Sequence, residues 1–151
     1  MPTASTIVID ADGTLADVTH RRHLVSGRGH RDYEAFHALL SEDPLNEWCA
    51  EIMKQFYFAG FDVVIVSARP ARYETQTRKW LESHNVLYTS LNLLRPNDDS
   101  TPDQELKMRW LESYGKENIL FVVDDRQKVV NQWRAAGLVC LQCDAWTEEK
   151  K

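Results

Sequence analysis

No apolar run in the sequence approaches the roughly 20 residues that a membrane span needs, and Met1-Pro2-Thr3 opens no signal peptide, so no membrane role is expected. Cysteine is scarce and odd in number, at three, which points to a reducing compartment rather than a disulfide scaffold. Cys140 and Cys143 spell C-x-x-C, but no second pair or nearby histidine pair accompanies them. Residues three apart on a strand face opposite ways, so these two read as small buried side chains rather than as a zinc or redox site. Net positive charge is also missing. Eighteen Lys and Arg against 23 Asp and Glu leave −5, which excludes a global basic field for nucleic acid but not a nucleic-acid end handled locally. No G-x-x-x-x-G-K-[ST] occurs, so a P-loop kinase half is not expected.

What is present is an ordinary globular composition. At 151 residues, with 43% hydrophobic and 27% charged, residues 1–151 read as a single domain able to bury a real core. Thr6–Ile9, Asp62–Val66, Asn118–Val123 and Leu138–Cys143 are near-continuous apolar runs, as expected of strands covered on both faces, and Val86–Leu94 is a fifth candidate. Helical spacing is predicted over Asp32–Ser41, from Pro44 to Gly60, and over Ala71–His84, Asp103–Tyr114 and Gln127–Ala136. The five tryptophans are expected in the core or at its edge. Strands alternating with helices predict an α/β, Rossmann-like, doubly wound parallel sheet.

In such folds ligands bind beyond the carboxyl ends of the strands. There the sequence places Asp10 and Asp12 after the first strand, with Gly13 and Thr14 following. Ser67, Ala68 and Arg69 end the second, and Asp124, Asp125 and Arg126 end the fourth. Lys107 lies near the start of a helix whose first turn carries Asp103. A strand-end Asp is usually a turn former or helix cap, but this joint arrangement is harder to dismiss. Clustered carboxylates without a zinc-type His/Cys set suit a hard cation, Mg²⁺, which would offset their repulsion.

"DADGT" (Asp10–Thr14), "VSAR" (Val66–Arg69), Lys107 and "VVDDR" (Val122–Arg126) match, in order, the four motifs of the haloacid dehalogenase-like (HAD) phosphatases, and the resemblance covers nearly the whole chain. "DGTLADVTHR", "DQELK" and "DDRQKVVNQWRAAGLVCLQ" look closest to the phosphatase domain of bacteriophage polynucleotide kinase-phosphatase. The resemblance implies a nucleophile at Asp10 that forms an aspartyl-phosphate, and a general acid–base at Asp12, protonated while Asp10 stays ionised. Ser67 and Lys107 would hold the phosphate oxygens. Asp124 and Asp125 would hold Mg²⁺ together with Asp10 and the backbone carbonyl of Asp12. Arg21, Arg69 and Thr14 would contact substrate, and Asp103 would support the site. The cytoplasm of a bacterial or phage-infected cell would be its place.

Two features bear on the substrate. Val18–Arg31 holds Arg21, Arg22, Arg28 and Arg31 with three histidines and no acid, which reads as a local positive flap. Roughly residues 17–43 form only a flap and short cap helix, and a minimal lid admits a polymer end. Thr101 stands where related sequences often carry an Arg, which weakens polymer recognition. The leading expectation is a polynucleotide 3′-phosphatase, DNA or RNA, whose partner is a nucleic-acid end. The alternative is a nucleotidase for free nucleoside monophosphates. A non-catalytic binding domain or a receiver-like signalling domain is a remoter reading. The receiver pattern puts its acid pair near the first strand, the reverse of the order found here.

Overall fold

The computed structural model describes residues 3–26 and 31–146. Five strands, β1 (Thr6–Ile9), β2 (Asp62–Pro70), β3 (Ser90–Arg95), β4 (Ile119–Arg126) and β5 (Cys140–Trp146), form one parallel sheet in the order β3-β2-β1-β4-β5. The chain winds outward from β1 to β3 and then crosses back to β4. The reversal between β1 and β4 is the topological switch point at which doubly wound sheets open a ligand crevice.

Side-chain alternation sends the strand residues to two separate cores. Ile7, Ile9, Val63 and Ile65 pack against Cys49 and Met53 of α2 (Glu47–Phe58) and Trp80 and Leu81 of α3 (Glu74–Ser83). Val8, Val64, Val66 and Val122 face the other way, onto Leu111 of α4 (Asp103–Tyr114) and Val129, Val130 and Trp133 of α5 (Gln127–Ala135). Both faces are covered, which is why the strands read as unbroken apolar runs. Trp80 and Trp133 are core residues as expected, whereas Trp48 is largely exposed.

The strand boundaries shift in one direction. β2 runs on to Pro70 and β4 to Arg126, so the chemical groups that follow the apolar runs lie within the strands. Register shifts occur between Ser67 and Pro70 and between Asp124 and Arg126, at the carboxyl edge. Such irregularities re-aim side chains at strand ends.

The cap departs further from expectation. Its helix, α1, covers only Tyr33–Ala38, capped by Asp32, whose side chain accepts from the Ala35 N–H at 2.9 Å, and a 3₁₀ turn at Leu40–Glu42 follows. Pro44 does not start α2. Its carbonyl accepts the Asp17 N–H at 2.9 Å, and Leu45 bridges Ala16. The Asn46 side chain donates to the Thr14 carbonyl at 2.8 Å. These backbone groups are bound to the 14–17 turn, so the helix begins only after them.

Trp133 is fully buried, and its Nε1–H donates to Asp124 Oδ2 at 3.1 Å. Trp133→Ala is expected to lower unfolding free energy by about 3–5 kcal/mol in urea titration. Trp133→Phe, which keeps most of the ring but removes the donor, should cost about 1–2 kcal/mol.

Candidate active site

The carboxyl edge brings together groups from five segments. Asp10 follows β1, and its N–H donates to the Val123 carbonyl at 3.0 Å, which locks the turn to β4. Asp124 and Asp125 end β4 beside it. Oxygens of Asp10, Asp124 and Asp125, all buried, lie within 4.8 Å of one another. Gly13 makes that approach possible. It sits at φ +83°, and a Cβ there would lie 2.1 Å from Asp125 Oδ2.

The buried Lys107 reaches in from α4, and its Nζ donates to Asp10 Oδ1 at 2.7 Å and to Asp124 Oδ2 at 2.8 Å. One ammonium against three carboxylates leaves the cluster negative. Asp124 is otherwise satisfied, since Oδ1 accepts the N–H of Asp125 at 2.8 Å. Asp125 is not: its buried Oδ2 has no hydrogen-bond partner, and Nη2 of Arg22 is 4.0 Å away. A negative cluster with a buried unpaired carboxylate oxygen fits a hard divalent cation such as Mg²⁺. Burial and the neighbouring Asp124 push Asp10 up to about 7 against the pull of Lys107. Burial, then the neighbouring Asp10 and Asp124, raise Asp125 well above the usual carboxylate range.

Asp12 has the opposite surroundings. Its Oδ1 accepts from Arg21 Nη2 at 2.7 Å and from Arg69 Nη2 and Nε at 2.7 and 3.1 Å. Burial alone would raise it, but Arg69 and then Arg21 outweigh burial and hold it well below the usual carboxylate range. The expected order, a protonated Asp12 beside an ionised Asp10, is therefore reversed in the free protein. The cause is that the arginines sit on Asp12 while Asp10 has only Lys107, shared with Asp124.

A cavity of about 500 Å³ opens over these groups. Asp10, Asp12, Ser67, Lys107, Asp124 and Asp125 line its floor. Arg72, Arg95, Arg126 and Lys128 lie on its sides, and α1 forms another wall. Ser67 Oγ accepts the Arg69 N–H at 3.1 Å, which leaves its own hydrogen to donate.

The sequence model for the polynucleotide kinase PNKP phosphatase domain matches residues 4–146. The chain belongs to this family. A polynucleotide kinase/RNA ligase of Autographa californica nuclear polyhedrosis virus, described as bifunctional, is 35% identical over 74 residues, 48% of this chain and 11% of that protein. A chain of the Pnkp1/Rnl/Hen1 complex is 27% identical, with a TM-score of 0.74 over 92% of this chain and 45% of that one. This chain thus spans less than half the length of either relative. CbbY from Rhodobacter sphaeroides, solved with phosphate, shares the fold at a TM-score of 0.66 and 14% identity over 98% of this chain and 90% of that one. This PNKP-type domain is a HAD-fold phosphatase, and the receiver-like and non-catalytic readings fall away.

Within the PNKP-type site, several predicted residues are placed differently from expectation. Arg21, Arg69 and Thr14 do not border the cavity. Both arginines are fully or almost fully buried and turned onto Asp12. Thr14 lies beneath the acids, its Oγ1 3.3 Å from Asp10 Oδ2 and 3.4 Å from Asp125 Oδ1. Among the described residues of the flap, the positive groups are paired rather than a free surface. Arg21 Nε and Nη2 also donate to Asp43 at 2.8 and 2.6 Å, His20 Nε2 lies 2.6 Å from Asp43, and Arg22 pairs with Asp144 at 3.5 Å. Arg28 lies outside the described residues. Cys140 is buried, but Cys143 is exposed, with Sγ 3.7 Å from the Gly13 carbonyl. Burial raises the two thiols to about 12 and about 11, the reverse of a reactive or metal-binding thiolate.

Three residues escaped the sequence reading. Asp43 was hidden behind Pro44 by the helix expected there. His37 sits in the cap helix as one polar residue among several. Arg95 ends β3 as the other site groups end their strands, a signal that was available once β3 was placed. It donates to Asp103 Oδ1 at 2.5 Å and to the Thr101 carbonyl at 2.7 Å, while Arg126 pairs with Asp103 Oδ2. The guanidinium missing at Thr101 is thus supplied beside Asp103 from two other strands.

The elevated Asp10 sets a pH dependence. Between pH 3.8 and about 7 the folded protein keeps a proton that the unfolded chain releases, so stability falls as pH rises through that window. A divalent cation should offset this loss. Millimolar Mg²⁺ is expected to raise Tm by roughly 5 °C at pH 8 and by much less at pH 5, and Asp125→Asn should abolish the rise. No shift at pH 8 would count against a cation at this cluster.

Proposed function

We propose that the protein is a Mg²⁺-dependent 3′-phosphatase acting on the end of a polynucleotide. The observation that carries this reading is the cluster of Asp10, Asp12, Lys107 and Asp125 on the floor of a PNKP-type cavity whose border sets Arg72, Arg95, Arg126 and Lys128 among Asp98, Asp99 and Asp103. Arg forks and lysines at one edge of an acidic protein suit a phosphorylated end rather than a long duplex.

The residues divide the work as follows. An Asp10 carboxylate oxygen attacks phosphorus, the ester P–O bond breaks, and the departing 3′-oxygen takes a proton from Asp12. Water then attacks the aspartyl-phosphate, gives its proton to Asp12, and releases inorganic phosphate. Lys107 and the Ser67 hydroxyl bind the phosphate oxygens. Asp10, Asp125 and the Asp12 carbonyl would hold Mg²⁺, with Asp125 as the direct side-chain ligand from β4 because its Oδ2 is unpaired, and Asp124 engaged by Lys107 and Trp133. When bound, the cation neutralises charge on the transferring phosphoryl group and favours ionised Asp10.

Asp12 must gain a proton to act as an acid, and in the free protein two arginines oppose that. A dianionic phosphate competing for Arg21 and Arg69 would loosen their hold, which reconciles their burial with a part in substrate binding.

The deciding experiment compares Mg²⁺-dependent phosphate release from an oligonucleotide 3′-phosphate, its 5′-phosphate isomer, and 3′- and 5′-mononucleotides. The oligonucleotide 3′-end should be favoured, and Asp10→Asn should lower turnover by roughly a thousandfold or more. Faster cleavage of mononucleotides would reassign the domain to nucleotide hydrolysis by the same chemistry. Asp12→Asn should slow the oligonucleotide far more than p-nitrophenyl phosphate, whose leaving group needs no proton. Equal losses on both in the burst of leaving-group release, which reports the first step apart from hydrolysis of the intermediate, would remove Asp12 as the acid.

A further inference from the structure

The cavity floor and sides are charged, but the cap wall is not. Val25, Tyr33, Phe36 and His37 form it. Tyr33 and His37 are four residues apart on α1 and so share a face. Phe36 is already engaged, buried with the Arg21 guanidinium 4.1 Å from its ring centre. Tyr33 is the available aromatic, 46% exposed at the cavity's border and outside the ring contacts that hold Phe36, His37 and Tyr73 together.

His37 is the less expected member. Its ring is wedged between Phe36 and Tyr73, with both centroids 5.2 Å away. The residue is only 9% exposed, and its buried Nδ1 has no hydrogen-bond partner. An unpaired buried polar atom is costly and asks for a reason. Carrying the proton on Nε2 avoids enclosing an unpaired N–H and makes Nε2 the donor that the ring can present to a ligand. The position is close to the chemistry. A single guanidinium, that of Arg21, donates to the carbonyl of the adjacent Phe36 at 3.0 Å and to Asp12 at 2.7 Å. Asp12 and His37 line the same cavity, so a hydroxyl flanking a leaving oxygen at Asp12 would lie towards α1.

We propose that α1 forms a nucleoside subsite in which Tyr33 stacks on the terminal base and His37 hydrogen-bonds the ribose hydroxyl beside the phosphorylated one, so that ribonucleotide ends are preferred to deoxyribonucleotide ends. The inference rests on the reading of Asp12 as proton donor to a nucleotide leaving group. A cavity of about 500 Å³ is within the size range of small-ligand sites and has room for the terminal nucleotide of a chain. Arg72, at the border with its side chain 41% exposed and 3.7 Å from Asp98, is placed for the next phosphate.

The test measures kcat and KM for matched 3′-phosphorylated oligoribonucleotides and oligodeoxyribonucleotides, with 3′-mononucleotide pairs and p-nitrophenyl phosphate beside them. The wild type should favour ribose by about five- to tenfold, the effect of one hydrogen bond. His37→Phe, which preserves the packing between two rings, should bring the ribose-to-deoxyribose ratio near one. Tyr33→Ala should raise nucleotide KM about tenfold without affecting p-nitrophenyl phosphate, and Tyr33→Phe should behave as wild type. No ribose preference in the wild type, or a preference that survives His37→Phe, overturns the role of His37. An unchanged KM in Tyr33→Ala overturns the stacking. A preference for mononucleotides over polymers would sink the proposed polymer substrate but leave this subsite intact, because the ribose ratio is read on either.

Discussion

Three carboxylates buried within 4.8 Å of one another, two of them hydrogen-bonded to one ammonium, set the terms for everything around them. Left alone, such a cluster repels itself, and burial makes each charge more expensive. The protein meets the problem by enclosure. Lys107 is brought in from α4, Asp124 takes an indole and a backbone N–H, and Gly13 gives up a side chain so that Asp125 can come close. One oxygen is left without a partner, and the arrangement becomes intelligible when a cation is allowed for there.

The second layer is built with the opposite sign. Asp12 and Asp43 are each gripped by arginines, and Asp103 is held by Arg95 and Arg126. Neighbouring carboxylates two residues apart thereby acquire contrary proton affinities: one is starved of positive charge and the other saturated with it. Removing one partner from such buried pairs strands the other, so these residues are tied to one another more closely than to the sheet that carries them.

Much of this was legible in the chain before its fold was seen. Asp10, Asp12, Ser67, Asp124 and Asp125 follow apolar runs, and a doubly wound sheet sends the ends of such runs to one edge. Lys107 was legible from its place on α4. Orientation was not. Arg21 and Arg69 carry the right chemistry for a phosphate, yet whether a guanidinium faces a cavity or an adjacent acid depends on Asp43, which lies 22 residues from the first and 26 from the second. Arg95 lies one residue beyond the run Val86–Leu94, which Thr89, Ser90 and Asn92 interrupt, so the pattern marks no sharp strand end there. The helix expected at Pro44 failed because tertiary hydrogen bonds to the 14–17 turn outweighed a local preference for Pro in a first helical turn.

Those same hydrogen bonds have a wider consequence. The excursion that leaves the core at Asp17 returns beside its own point of departure, because Asp17 is bonded to Pro44, Leu45 to Ala16 and Asn46 to Thr14. A segment stitched closed at its base can lengthen, shorten or be replaced while the sheet and its acids stay put, since loop length itself carries little thermodynamic cost. The cap is in that sense an interchangeable part. What the domain recognises could diverge among relatives without any change in how it breaks the bond.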